Sequence, residues 1–171
     1  MRFLKLFLIS LIVLLFIVIF LFALIPSELS VSRVVRIQAG QERLAEALTD
    51  LSSWPSWNRF LNEQVPSKII ISSKTGSAGA SLHAGQLTVR LTSVAKDTIT
   101  SVWSNSRGKQ FTSVFLLMPA AEGGSYIQWK FNFHLNWYPW EKLGSMFYDR
   151  QLGPVMEKSL LELQHYVDKN P

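Results

Sequence analysis

The polar and apolar positions divide this chain into three regimes. From Leu6 to Ile25 the residues are Leu, Ile, Val, Phe and Ala, with Ser10 the only polar one. From Ser30 to Trp137 short segments alternate with period two, interrupted once by helical spacing. From Leu152 onward the apolar residues recur at steps of three and four. Each regime predicts an element with a face to bury.

In the middle regime, Ser30–Gln38 alternates Val31, Val35 and Ile37 with Ser32, Arg36 and Gln38, the pattern of a half-buried strand. Gln41–Leu51 switches to helical spacing, with Leu44, Ala47, Leu48 and Leu51 on one face and Glu42, Arg43, Glu46 and Asp50 on the other. Ser52 to Asn58 is a corner, because Pro55 drives Trp54 out of the helical region, and a second short helix is expected from Pro55 to Leu61. Strands then follow in quick succession. They are Lys68–Ser73, bounded by Pro66 and the Gly76–Gly79 turn, then Ala80–Ala84, Gln86–Ser93, Thr98–Ser104, Gln110–Met118 and Ile127–Trp137. The last alternates most cleanly: Ile127, Trp129, Phe131, Phe133, Leu135 and Trp137 face one way, Gln128, Lys130, Asn132, His134 and Asn136 the other. One wet and one buried face mark an antiparallel sheet.

In the final regime Gly153-Pro154 reads as a helix start, proline's fixed φ suiting the first helical position. Leu152, Val155, Met156, Ser159, Leu160, Leu163 and Val167 form its apolar face. The pattern as a whole predicts an α+β fold: a curved antiparallel sheet of about seven strands around a long C-terminal helix, preceded by one transmembrane helix.

At 171 residues the chain suits one folded domain, and the expected division is an anchor over 1–26 and a domain over 27–171. About twenty residues at ~1.5 Å rise span ~30 Å, the thickness of a bilayer core. A cleaved signal peptide and a retained anchor are the two readings of residues 6–25. A signal's apolar region usually runs about 7–15 residues and ends at an A-x-A-like site. This run is longer, and Phe22-Ala23-Leu24-Ile25-Pro26 offers no small-x-small pair, which favours a retained anchor. Arg2 and Lys5 precede the span, whereas Arg33 and Arg36 follow at a distance with Glu28 between. The positive-inside rule then places the N-terminus in the cytoplasm and the domain beyond the membrane, in the periplasm for a bacterial inner-membrane protein. Of the 17 Lys and Arg, 15 lie beyond the anchor against 12 Asp and Glu, a scattered net +3. That is too mild to argue for nucleic acid.

A resemblance to a known family rests on several of these stretches. Val34-Val35-Arg36-Ile37-Gln38-Ala39, then Glu42, then Asp50-Leu51-Ser52-Ser53-Trp54-Pro55-Ser56-Trp57-Asn58 resembles the opening strand, helix and D-x-x-x-W-x-x-W corner of the START-like (SRPBCC) superfamily. That superfamily includes the polyketide cyclase/dehydrase-like proteins and the birch pollen allergen type. Gly123-Gly124-Ser125-Tyr126-Ile127-Gln128-Trp129 is similar to its G-x-x-V-x-W approach to the last strand, and Met156-Glu157-Lys158-Ser159-Leu160 to its C-terminal helix. The resemblance runs from Val31 to the end and implies a helix-grip fold; membrane-tethered members also fit the N-terminal span. It implies no particular reaction, because activities in the superfamily vary and share no catalytic signature.

The residues themselves offer little catalytic chemistry. His134 and His165 lie on polar faces, and His83 stands alone in a glycine-flanked segment. No His/Asp/Glu spacing suits a metal, and zero cysteines argue against structural zinc. No phosphate-binding or nucleophile-elbow motif follows a suitable strand, and no cofactor is expected. Glu141, Asp149, Glu157 and Glu162 read as surface carboxylates balancing Lys142, Arg150 and Lys158. What remains is aromatic. Core packing is the plain reading of such residues; the sharper one is that some line a cavity between sheet and helix. The candidate ligand-binding set is Ser101, Trp103, Phe111, Phe115, Trp129, Phe131, Phe133, Met156 and Ser159. Met146, Phe147 and Trp137 are expected on the same concave face. Ser101, Ser113 and Ser159, small and polar on apolar faces, either leave space or bind a ligand head. Trp54 and Trp57 are assigned to the corner. Trp137, Tyr138 and Trp140 around Pro139 form a rim that is either a lid or a contact with a membrane or partner. The expected partners are a hydrophobic small molecule or lipid, and the membrane through residues 6–25. An enzyme of cyclase or hydrolase type and an interaction module with a filled core are the alternatives.

Overall fold

Seven strands form one antiparallel sheet in the order β1-β7-β6-β5-β4-β3-β2, in a computed structural model that describes residues 2–24, 26–62, 69–72 and 76–169. The strands are β1 (Glu28–Ile37), β2 (Ile69–Ile71), β3 (Ser81–Ala84), β4 (Leu87–Val94), β5 (Thr98–Asn105), β6 (Gln110–Pro119) and β7 (Ser125–His134). The helices are α1 (Arg2–Ala23), α2 (Gln41–Thr49), α3 (Trp54–Trp57), α4 (Arg59–Asn62), α5 (Pro139–Ser145) and α6 (Tyr148–Lys169). Ile25, Pro66, Lys68 and Ser73, which bound predicted elements, lie outside the described residues. The expected α+β plan, helix-grip sheet and preceding apolar helix are all present.

Strands β2 to β7 pair consecutively as hairpins, and β1 joins β7 from Glu28↔His134 to Ile37↔Ser125. Alternation decides what faces the helix. Val31, Val89, Leu91, Ile99, Ser101, Trp103, Phe115, Leu117, Ile127, Trp129 and Phe131 are all buried, and the residues that alternate with them along each strand are not. Gly124 leads into β7 at φ 77°, and a Cβ there would collide with the backbone of Ile37 and Gln38, so both the conformation and the close approach call for glycine.

The face of α6 matches its periodicity: Met156, Ser159, Leu160, Leu163 and Val167 are buried while Leu161 is exposed. Its start does not. The helix begins at Tyr148, so Pro154 lies inside it rather than at its first position. Proline there removes one N–H from the ladder. The extra turns are held from outside, by Arg33 reaching over Gly153 to Asp149 (2.8 Å) and Glu157 (2.7 Å). A side chain at 153 would collide with that guanidinium. Gly153 thus serves packing, and Gly153-Pro154 is not a start signal.

The last strand is also shorter than its alternation implies. β7 ends at His134 because β1 begins at Glu28 and offers no ladder beyond it, although Leu135 N still donates to Ser27 O at 2.7 Å. Trp137, expected inward, is 67% exposed. Met146 and Phe147, also expected on the concave face, are exposed beyond α5.

Candidate functional site

The concave face of the sheet is filled at one end and open at the other. The corner after α2 does the filling. Trp54 and Trp57 are fully buried, with Trp54 Nε1 donating to Leu48 O (3.0 Å) and the rings meeting Trp103 (5.9 Å) and Trp129 (6.4 Å) respectively. Phe115 and Trp129 stack behind them at 4.9 Å. Asn58 closes the corner by accepting Phe60 N on Oδ1 (3.1 Å), which sets the start of α4. Phe60 then meets Trp103, Trp129 and Phe131 edge-on, with centroids at 6.0, 5.7 and 5.5 Å.

Beyond Phe60 the interior opens into a cavity of about 560 Å³. Its walls are Phe60, Leu87, Trp103, Phe111, Phe131, Phe133, Leu135 and Leu152; its mouth carries Asn105, Lys109, Gln110, His134, Asn136, Glu141, Tyr148 and Gln151. An apolar interior with a few polar groups at one side is the usual make-up of a small-molecule site.

The mouth is organised by one carboxylate. Glu141 accepts from Lys109 Nζ (2.7 Å) and from Asn136 N (2.9 Å). Asn105 Oδ1 accepts from the backbone N–H of Arg107 and of Lys109, both at 3.0 Å, and so shapes the β5–β6 turn that presents the lysine. Lys109 and the Asn136 N–H hold the Glu141 carboxyl below the usual carboxylate range, and Glu141 raises the Lys109 ammonium above its ordinary value. Both stay charged at neutral pH, which suits a tether between α5 and the turn. It does not suit proton transfer, for which a group must titrate near the working pH.

Of the nine candidate residues, the cavity brings together Trp103, Phe111, Phe131 and Phe133. Ser101, Phe115, Trp129, Met156 and Ser159 lie fully buried elsewhere in the core. The serines have partners there. Ser101 Oγ accepts Trp103 Nε1–H (3.0 Å) and Ser113 Oγ accepts Trp129 Nε1–H (2.8 Å). Ser159 Oγ accepts Arg59 N (3.0 Å) and donates to Val155 O (2.8 Å). Ser101 and Ser113 satisfy buried indole N–H groups on the sheet, and Ser159, fully buried on the helix face, is hydrogen-bonded in both directions. The carboxylates differ from expectation as well. Glu141 pairs with Lys109, Asp149 and Glu157 with Arg33, and Glu162 with Arg59, because these cations arrive from other elements. His83 is exposed, with Nδ1 2.9 Å from Thr88 Oγ1. Among the described residues no group of three or more potential ligands could hold a metal. Phe60, Leu87, Tyr148 and the Lys109–Glu141 pair were not singled out from sequence; only Leu87, on the inward parity of its strand, carried a usable signal.

The geometry defines a helix-grip α+β domain with an apolar cavity beneath a polar mouth. Residues 28–168 match the family described as polyketide cyclase/dehydrase and lipid transport, and the chain belongs to that family. No curated protein matches the sequence. Among solved structures, a START superfamily protein from Mycobacterium smegmatis is similar over 83% of this chain and 99% of its own, at 15% identity and TM-score 0.61. Norcoclaurine synthase from Thalictrum flavum, solved with dopamine and hydroxybenzaldehyde, is similar over 84% and 88%, at 12% identity and TM-score 0.55. DynU16, from the dynemicin biosynthetic locus, is similar at 16% identity and TM-score 0.58 over 82% of this chain, which spans about half (48%) of it. At such identities the likeness is one of fold.

Proposed function

We propose that the protein is a membrane-tethered domain, residues 27–171, that binds a hydrophobic small molecule or lipid in the cavity between β5, β6, β7 and α6. The observation that carries this reading is the cavity itself: about 560 Å³ walled by aromatic and aliphatic side chains, with polar groups confined to the mouth. Trp103, Phe111, Phe131 and Phe133 are the ligand-binding members of the candidate set. Affinity would come from apolar burial at ~25 cal/mol per Å², less the entropic costs of association. The tether is α1, whose Phe3–Ala23 stretch is long and apolar enough to cross a membrane. With Arg2 and Lys5 on its near side, the domain sits on the non-cytoplasmic face.

Native mass spectrometry of the full chain, extracted in mild detergent, tests the reading. An apolar compound should be released, and a fluorescent fatty acid should replace it. Leu87→Trp, which places an indole in the cavity from its wall, should abolish both while the fold persists by near-UV circular dichroism. Absence of any bound compound and of probe uptake by the unaltered chain would refute carriage and favour an interaction module. Conversion of the bound compound to a product would favour the cyclase-type alternative.

A further inference from the structure

The α5 segment is built inside out. Its buried members are Lys142 and Ser145, and Glu141 turns to the cavity mouth. Trp140, Leu143 and Phe147, spaced by three and four, are exposed. Trp140 is 70% and Met146 72% exposed. Trp137 and Trp140 flank Tyr138 with both ring pairs at 5.0 Å, the second stacked. An apolar patch of this size on a domain surface marks something that covers it. The neighbouring element says what. Lys142 Nζ donates to Phe22 O at 2.8 Å, in the last turn of α1, whose final carbonyls have no partner within the helix. If α1 uses its length to cross ~30 Å of hydrocarbon, the Phe22 carbonyl lies at the membrane interface, and α5 lies there with it. Tryptophan and tyrosine are enriched at that depth, where one side of the ring is apolar and the other wet.

We propose that Trp137–Phe147 is an interfacial segment that seats the cavity mouth on the lipid bilayer surface, beside the anchor. The proposal rests on the anchored, ligand-binding reading above and adds the route: ligand passes between bilayer and cavity without crossing bulk water. The buried polar side of α5 is then a strap. Lys142 ties it to the anchor and Glu141 ties it to Lys109, so the segment that meets the lipid also frames the opening.

The tryptophans report on this directly. Of the six, Trp54, Trp57, Trp103 and Trp129 are fully buried and α1 has none, so only Trp137 and Trp140 are open to a quencher outside the fold. The full chain is reconstituted in phosphatidylcholine vesicles whose acyl chains are brominated. Co-flotation with the vesicles reads the anchor. Brominated lipid should quench the wild type strongly, and Trp137→Phe/Trp140→Phe should lose most of that quenching. Aqueous iodide, present on both sides, should reach neither residue. Quenching that remains in the double variant and vanishes when Leu87→Phe is added, which fills the cavity without adding an indole, comes from lipid against Trp103 and reads the cavity. Loss of that remainder alone would overturn the ligand reading and leave the interface standing. Equal lipid quenching of wild type and double variant, or free access of iodide to Trp137 and Trp140 as a protein-binding face would give, overturns the proposal.

Discussion

Ser113→Ala should weaken the fold and leave ligand uptake intact. Ser113 Oγ accepts Trp129 Nε1–H at 2.8 Å, and both residues are fully buried. Removing the hydroxyl strands an indole N–H away from water, at a cost of about 1–3 kcal/mol. The volume lost is one oxygen, so the cavity contribution is small. For a domain of about 145 residues each kcal/mol moves Tm by roughly 2–4 °C, which gives a fall of roughly 2–12 °C. Trp129→Phe should cost more, because the indole stacks on Phe115 at 4.9 Å and its second ring fills core space. In the double variant no donor is stranded, so its loss should fall short of the sum by about 0.5–3 kcal/mol. Thermal melts of the full chain in detergent, followed by near-UV circular dichroism, give the cycle, and fluorescent fatty-acid uptake gives the functional arm. An unchanged Tm with uptake abolished would refute the reasoning, since the serine would then hold the ligand and not the indole.

Leu160→Ala should cost about 2–5 kcal/mol, the range for emptied core positions, and Leu161→Ala about 0.5 kcal/mol or less as an exposed site; equal losses in denaturant titrations would contradict the assigned face of α6. Ser159→Phe should prevent folding rather than block a vacant pocket, because Ser159 is fully buried and hydrogen-bonded to Arg59 N; a folded variant with normal near-UV circular dichroism would show that space exists there. The Lys109–Glu141 tether should be indifferent to pH between about 5 and 9. The lowered Glu141 value means that its contribution is present above the ordinary carboxylate range and is lost only as pH falls through the lowered value. The raised Lys109 value means that its contribution is present below the ordinary ammonium range and is lost only as pH rises through the raised value. Hydrogen exchange over residues 136–147 checks this, and a change in protection near neutral pH would contradict it.

Elements that make their own pattern were legible in the sequence. β7 reads directly because its inward residues Ile127, Trp129 and Phe131 are all buried, and α6 reads directly because Met156, Leu160, Leu163 and Val167 are buried along one face. Where the pattern misled, a neighbour absent from the local sequence had taken over. Trp137 continues the parity of β7, yet β1 supplies no strand to pair with it. Gly153-Pro154 has the chemistry of a helix start, yet Arg33 from β1 holds the turns before it.

The candidate site divides along the same line. Trp103, Phe111, Phe131 and Phe133 were findable because they share the inward parity of adjacent strands. Their neighbours Phe115 and Trp129 share that parity too, and nothing in the strands distinguishes wall from core. The distinction is made by the corner: Trp54 and Trp57 cover Phe115 and Trp129, and Phe60 stops the filling short of Phe111 and Phe133. The mouth is less legible still, since Lys109 and Glu141 are 32 positions apart and belong to no motif. The outward face of α5 was visible only as an aromatic cluster around a proline. It acquires a meaning once Lys142, a residue whose burial no pattern announces, is found holding the end of α1. A short helix that buries its cation and exposes its tryptophan is poorly suited to water, and it becomes an ordinary amphipathic element when the solvent beside it is lipid.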